Sequence, residues 1–168
     1  SERQDIAANS PIGTWINGVS IWGYKSGDFV QFGPLTQITV DNSGEGYDAG
    51  AKPTVEINGG GGTGAAAEVV VNGSLTGFDV TAGGSGYTES PLVSIVGGNG
   101  SGATAQAVIT GGRVTRILVE QGGSGYTAQP SVSITGGGGT GAEATASVRG
   151  SIQSVNITNF GTGYTSLP

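Results

Sequence analysis

From Leu35 onward the apolar positions recur in blocks with the spacing of strands rather than helices. One block alternates strictly, as Pro53-x-Val55-x-Ile57, Pro91-x-Val93-x-Ile95 and Pro130-x-Val132-x-Ile134. A period of two sets these side chains on one face of a strand. Proline at its first position removes an N–H only where the ladder begins. A second block places small residues inward: Ala65, Ala67, Val69, Val71; then Ala103, Ala105, Ala107, Ile109; then Ala142, Ala144, Ala146, Val148. Successive alanines leave voids unless another layer of backbone comes close, so the interior here is narrow. A third block begins at Leu35, Leu75, Val114 and Ile152 and continues through Ile38, Phe78, Ile117 and Val155 to Val40, Val80, Val119 and Ile157. Its apolar spacing of three and then two breaks the alternation and predicts a bulge inside the strand.

The connections repeat as well. A Gly-x-Gly-Tyr sequence follows the third kind of block, with its tyrosines at Tyr47, Tyr87, Tyr126 and Tyr164, spaced 40, 39 and 38 residues apart. Pro53, Pro91, Pro130 and Pro168 follow them, and glycine tracts occupy 59–64, 97–102 and 136–141. The tracts predict tight corners with positive φ; each lacks the lysine of a phosphate-binding loop and opens a strand, not a helix. Asn72-Gly73, Gly111-Gly112 and Arg149-Gly150 lie between blocks and read as two-residue hairpin turns. Self-similarity at a period of about 39 residues predicts an all-β array, three strands per unit, stacked as a β-prism or β-solenoid-like rod. The repeats run 35–73, 74–112 and 113–150, with a partial fourth at 151–168. That fourth repeat ends at Pro168, where its second strand would start; the expectation is that further chain or a neighbouring molecule completes it, since an open edge invites pairing.

Residues 1–34 stand outside this grammar. Trp15-Ile16-Asn17-Gly18-Val19-Ser20-Ile21-Trp22 sets a turn signal between apolar runs, and Phe29 and Phe32 follow. Terminal units of arrays are commonly atypical caps, and the aromatic residues Trp15, Trp22, Phe29 and Phe32 make the same segment a candidate docking surface.

Composition narrows the chemistry. Glycine supplies 35 of the 168 residues, yet evenly spaced Val, Ile and aromatic residues in every repeat argue against disorder. Histidine and cysteine are absent, which excludes disulfides, thiolate or imidazole metal sites, serine–histidine triads and cysteine nucleophiles. The formal charge is -6, with its six bases scattered, so no basic patch exists to neutralise phosphates and no nucleic-acid partner is expected. No apolar run reaches the roughly 20 residues that span a bilayer as a helix, and no membrane partner is expected. No cofactor is expected either. Asp41, Glu45, Asp48 and Glu56 surround the first bend, which carries two more residues than the later bends. Hard cations take such oxygen ligands, but no calcium-loop spacing is present and a solvated acidic loop is the simpler reading.

The tyrosines Tyr47, Tyr87, Tyr126 and Tyr164 admit two readings. A ring presented once per repeat can stack on sugar faces along a host surface glycan; alternatively each ring caps the bend between first and second strands and packs within the array.

The run Gly123-Ser124-Gly125-Tyr126-Thr127-Ala128-Gln129-Pro130-Ser131-Val132-Ser133-Ile134, with the Gly-Gly-Gly-Gly-Thr-Gly-Ala that follows it, resembles glycine-rich repeats of virion structural proteins from tailed bacteriophages, especially those infecting marine cyanobacteria. Asn17-Gly18-Val19-Ser20-Ile21 with Ser26-Gly27-Asp28 is similar to the segment preceding such repeats. The resemblance implies a non-enzymatic component of a baseplate, tail fibre or capsid exterior, joined to other virion proteins and to copies of itself, with a trimer expected by analogy with fibres. Similar repeats in bacterial surface proteins imply the alternatives of an extracellular adhesin with a tyrosine ladder or a filament subunit. A polysaccharide-cleaving enzyme would need two carboxylates at catalytic spacing across a cleft.

Overall fold

The computed structural model describes residues 11–14, 20–23, 30–32 and 34–168, and among these are ten strands and no helix. Strands β1 (Pro11–Thr14), β2 (Ser20–Gly23) and β3 (Val30–Phe32) form an antiparallel sheet in chain order. Trp15 and Phe29 lie outside the described residues, as do the side chains of Trp22 and Phe32; the backbone of Trp22 is opposite Gln31 and that of Phe32 opposite Ile21.

The repeats supply the rest: β4 (Tyr47–Asp48), β5 (Thr63–Ser85), β6 (Leu92–Val96), β7 (Ser101–Thr110), β8 (Arg113–Ser124), β9 (Ser131–Thr135) and β10 (Thr140–Thr162). They form sheets with the orders β4-β10-β5 and β8-β7-β6-β9. Two compact units result. One gathers Ser1–Asp41, Thr54–Val69 and Ser154–Pro168, the other Asn42–Pro53 and Val70–Gln153.

The second unit holds repeats 2 and 3, which pair reciprocally. The first strand of repeat 3, β8, pairs with the third strand of repeat 2, β7, and Gly123 comes against the backbone of Ser101 and Ala103. In the reverse sense, the first strand of repeat 2, within β5, lies beside the third strand of repeat 3, within β10: Gly84 abuts Thr140 and Ala142, and the Thr76 hydroxyl donates to the Ser147 carbonyl at 3.2 Å. The second strands close the exchange. β6 and β9 run antiparallel with Val93 opposite Ile134, Ser94 opposite Ser133 and Ile95 opposite Val132, so equivalent residues trade places about a local two-fold axis. Simple translation along a solenoid would set equivalent strands parallel; here they are antiparallel.

This exchange builds a core of Tyr87, Val93, Ala107, Val114 and Ile117, against which Phe78, Ile95, Val132, Ala105, Ala142 and Ala144 pack. Burying a branched or aromatic side chain of this kind contributes roughly 1.5–3 kcal/mol. The alanines of the third strands do face the narrow interior. The bulge in the first strand is also present: along β7 the partner residue steps from Arg116 to Val114 and from Gln121 to Val119, leaving Thr115 and Glu120 extra. Thr115 falls between Val114 and Ile117, which is why those two share a face at a spacing of three.

Two expectations need correction. Of the three turn pairs, Gly111-Gly112 alone turns the chain, with φ of 60° and 74° as a type I′ hairpin requires. Asn72-Gly73 and Arg149-Gly150 run straight through β5 and β10, which are 23 residues each. A Cβ on Gly73 would collide with the Arg149 carbonyl, and one on Gly150 with the Asn72 carbonyl. These glycines allow two long strands to touch backbone to backbone, a use of glycine that the dipeptide alone does not distinguish from a turn.

The second correction concerns repeat 1. The first unit joins the third strand of repeat 1, in β5, to the first strand of repeat 4, in β10, with Gly161 against Thr63 and Ala65 as Gly123 stands against Ser101 and Ala103. Residues 35–40 and 53–57, read from sequence as the first and second strands of repeat 1, lie outside the named strands; Thr54 makes an isolated antiparallel bridge to Glu68. Alternation fixes which face is apolar, but a strand forms only against a partner, and in the second unit the equivalents of these residues pair with second and third strands of the opposite repeat.

Candidate functional site

The repeated tyrosines are the residues that sequence analysis singles out most strongly, and the structure places three of them in the interior. Tyr87, Tyr126 and Tyr164 are 4%, 2% and 8% exposed. Each ring lies on the glycine that ends the corner of the opposite repeat. A Cβ on Gly62 would stand 2.5–2.6 Å from Cγ, Cδ1 and Cδ2 of Tyr164, nearly equal distances that put the glycine beneath the ring face. Gly100 lies in the same way under Tyr126, and Gly139 under Tyr87. The pairing is crossed: repeat 2 supplies the ring for the tract of repeat 3, repeat 3 for that of repeat 2, and repeat 4 for that of repeat 1.

Hydrogen bonds lock each socket. The amides of Thr88, Thr127 and Thr165, one residue past each ring, donate to the carbonyls of Gly137, Gly98 and Gly60 at 2.9, 2.9 and 2.7 Å. The Tyr87 hydroxyl accepts from the Ala142 amide at 3.3 Å, giving the polar tip of a buried ring its partner. At the third tract position Gly61 and Gly138 have φ of 71° and 78°, and repeat 2 carries Asn99 there at φ 63°. Asparagine tolerates this left-handed conformation better than other side chains. Its amide donates to the Thr127 hydroxyl at 2.8 Å, using the space that faces the equivalent threonine hydroxyl in the other repeats.

Tyr47 differs. It is half-buried, sits in β4 opposite Gly150 of β10, and packs against Gly44, whose Cβ would stand 2.9 Å from its Cε2. Burial of the other three therefore overturns a solvent-facing tyrosine ladder: a buried ring has no free face for a sugar. Tyr47 retains part of its surface.

The acidic residues of the first bend separate. Asp48 pairs with Arg149 at 3.4 Å and accepts the Gly50 amide at 2.8 Å, while Arg149 also donates to the Gly46 carbonyl at 3.3 Å. Both side chains are partly exposed, so the pair contributes no more than about 1 kcal/mol. Asp41 and Glu56 line an open groove of about 380 Å³ in the first unit, with Leu35, Ile38, Val55 and Ile57. Glu45 lines another, of about 540 Å³, in the second unit with Gly73, Ser124 and Arg149. Among the described residues no three Asp, Glu, His or Cys side chains converge, and the tyrosine hydroxyls are the sole polar side-chain groups on buried residues.

Two polar contacts escaped the sequence pattern. Ser90 and Gln129, each preceding a second-strand proline, donate to the carbonyls of Ala107 and Ala146 at 2.7 and 2.8 Å. Proline has no N–H to offer the neighbouring third strand, and the side chain one residue earlier supplies a donor.

The structure defines an all-β protein of antiparallel sheets, in which tyrosine–glycine sockets join segments distant in sequence. No protein-family description, no curated protein and no solved structure matches the chain.

Proposed function

We propose that this chain is a non-enzymatic structural component of a bacteriophage particle, in the baseplate, tail fibre or capsid exterior, where paired repeats extend as a β-prism-like rod and copies associate with one another and with other virion proteins. The observation that carries the structural part of this reading is the crossed tyrosine–glycine sockets. The most regularly repeated aromatic residues are committed to packing, and among the described residues no charged side chain is buried. The phage assignment rests on the resemblance of the repeat at 123–142 to virion proteins. Mechanically, the glycine corners let strand layers approach, the alanine-lined interior excludes water, and residues 1–34 with Trp15, Trp22, Phe29 and Phe32 supply the docking segment.

Immunogold electron microscopy of particles encoding the chain tests the location: label on the tail or capsid exterior is expected, and intact particles without label contradict it. Light scattering coupled to size-exclusion chromatography tests the association. A discrete trimer is expected, and a monomer at all concentrations removes homotypic assembly from the account.

A further inference from the structure

Within the second unit, the two long strands meet at a crossing with a local two-fold arrangement. Asn72-Gly73-Ser74 of β5 lies against Arg149-Gly150-Ser151 of β10, and each glycine admits the backbone of the other strand. Each crossing segment also pairs with a Gly-x-Gly-Tyr bend: Gly73 exchanges amide–carbonyl bonds of 2.9 and 3.1 Å with Tyr126, and Gly150 stands opposite Tyr47. The crossing and the two bends border the open groove of about 540 Å³ that contains Glu45. Its size falls within the range of roughly 300–1,000 Å³ found for small-ligand sites.

Every residue lining this groove is glycine, serine, asparagine, glutamate or arginine. Such a wall offers no apolar surface for a hydrophobic ligand. Among the described residues, the side chains of Ser43, Glu45, Asn72, Ser74, Ser124 and Ser151 make no hydrogen bond or ion pair within the protein. Comparable side chains elsewhere are engaged, since those of Ser90, Asn99 and Gln129 all donate to protein oxygens. Arg149 is the fixed member of the groove. Asp48 and the Gly46 carbonyl hold its guanidinium in place, and two contacts leave part of its five-donor fork unspent.

We infer that this groove binds a neutral saccharide. Sugar hydroxyls both donate and accept, and neighbouring hydroxyls are bridged in pairs by planar carboxamide, carboxylate and guanidinium groups. Asn72, Glu45 and Arg149 supply one of each, and the four serines supply further hydroxyl partners. The glycines of the wall let a ring approach the backbone closely. Charge selects against acidic sugars, because Asp48 already balances Arg149 and the carboxylate of Glu45 is left uncompensated. The site is separate from the buried tyrosines, and the inference is independent of the phage reading.

The probe is an array of neutral oligosaccharides of glucose, galactose, mannose and N-acetylglucosamine, printed beside sialylated and sulfated counterparts, to which the full chain is applied. Binding to at least one neutral member is expected, with weaker binding to its acidic counterpart. Asn72→Ala should weaken binding to that member by about five- to tenfold, as loss of a hydrogen bond does. Ser124→Tyr, which fills the groove, should abolish it, with thermal unfolding reporting that the fold is kept. Glu45→Lys breaks no contact within the protein and should raise binding to the acidic counterpart. The inference is overturned by absence of binding to every neutral member, by preference of the unsubstituted chain for acidic members, or by binding that Asn72→Ala and Ser124→Tyr both leave unchanged.

Discussion

At the residue scale, the chain uses glycine in three physically different ways that sequence spells alike. Gly111 and Gly112 turn the backbone through positive φ, Gly73 and Gly150 admit a second backbone, and Gly62, Gly100 and Gly139 admit a ring. The glycine tracts were legible as positive-φ corners because four or five glycines in each six-residue tract leave little else. The role of the glycine at the fourth tract position was not, because its constraint comes from a tyrosine in another repeat. Substitution separates these roles. Gly139→Ala should destabilise by roughly 2–4 kcal/mol, since a methyl must displace the ring of Tyr87 from a packed core. Gly136→Ala meets open space at φ 80° and should cost only the left-handed strain of about 1–2 kcal/mol. Urea denaturation of both variants checks the ordering, and equal losses would contradict it. Tyr126→Ala should cost about 3–5 kcal/mol. A variant that keeps its stability and loses binding to a glycan would instead return the tyrosines to a recognition role.

At the element scale, alternation placed the second and third strands of repeats 2 and 3, and the three-then-two spacing placed the bulge in β8, because both record which side chains share a face. What alternation does not record is the partner. Repeats 2 and 3 exchange strands reciprocally, and this long-range choice decides that Asn72-Gly73 and Arg149-Gly150 stay extended while Gly111-Gly112 folds back. A turn dipeptide states only that a turn is sterically allowed. Gly111→Asn should therefore be tolerated within about 0.5 kcal/mol, since asparagine suits the first position of a type I′ turn. Gly73→Asn, creating Asn-Asn in the middle of β5, should destabilise by at least about 2 kcal/mol because its Cβ falls on the Arg149 carbonyl. Comparable thermal midpoints for the two variants would contradict the close approach of β5 and β10.

For the whole molecule, repetition made the all-β class legible but hid how the strands group. Reading along the chain suggests four successive units; packing instead couples repeat 2 with repeat 3 and repeat 1 with repeat 4. The first couple is complete within the described residues, with a shared core of Tyr87, Val93, Ala107, Val114 and Ile117. The second carries the socket of Tyr164 on Gly62 and the open groove beside Val55 and Ile57. Leu92 and Val96, at 67% and 66% exposed, stand at the two ends of β6 with Ser94 between them on the same face. The exchange of strands between repeats is the central claim, and native-state hydrogen exchange of the isolated chain tests it most directly. The account predicts slow, cooperative exchange across β6, β7, β8 and β9, rising together under mild denaturant, and rapid exchange at Val55–Asn58. Equal protection of all three second strands, or stepwise loss of protection repeat by repeat along the sequence, would contradict it.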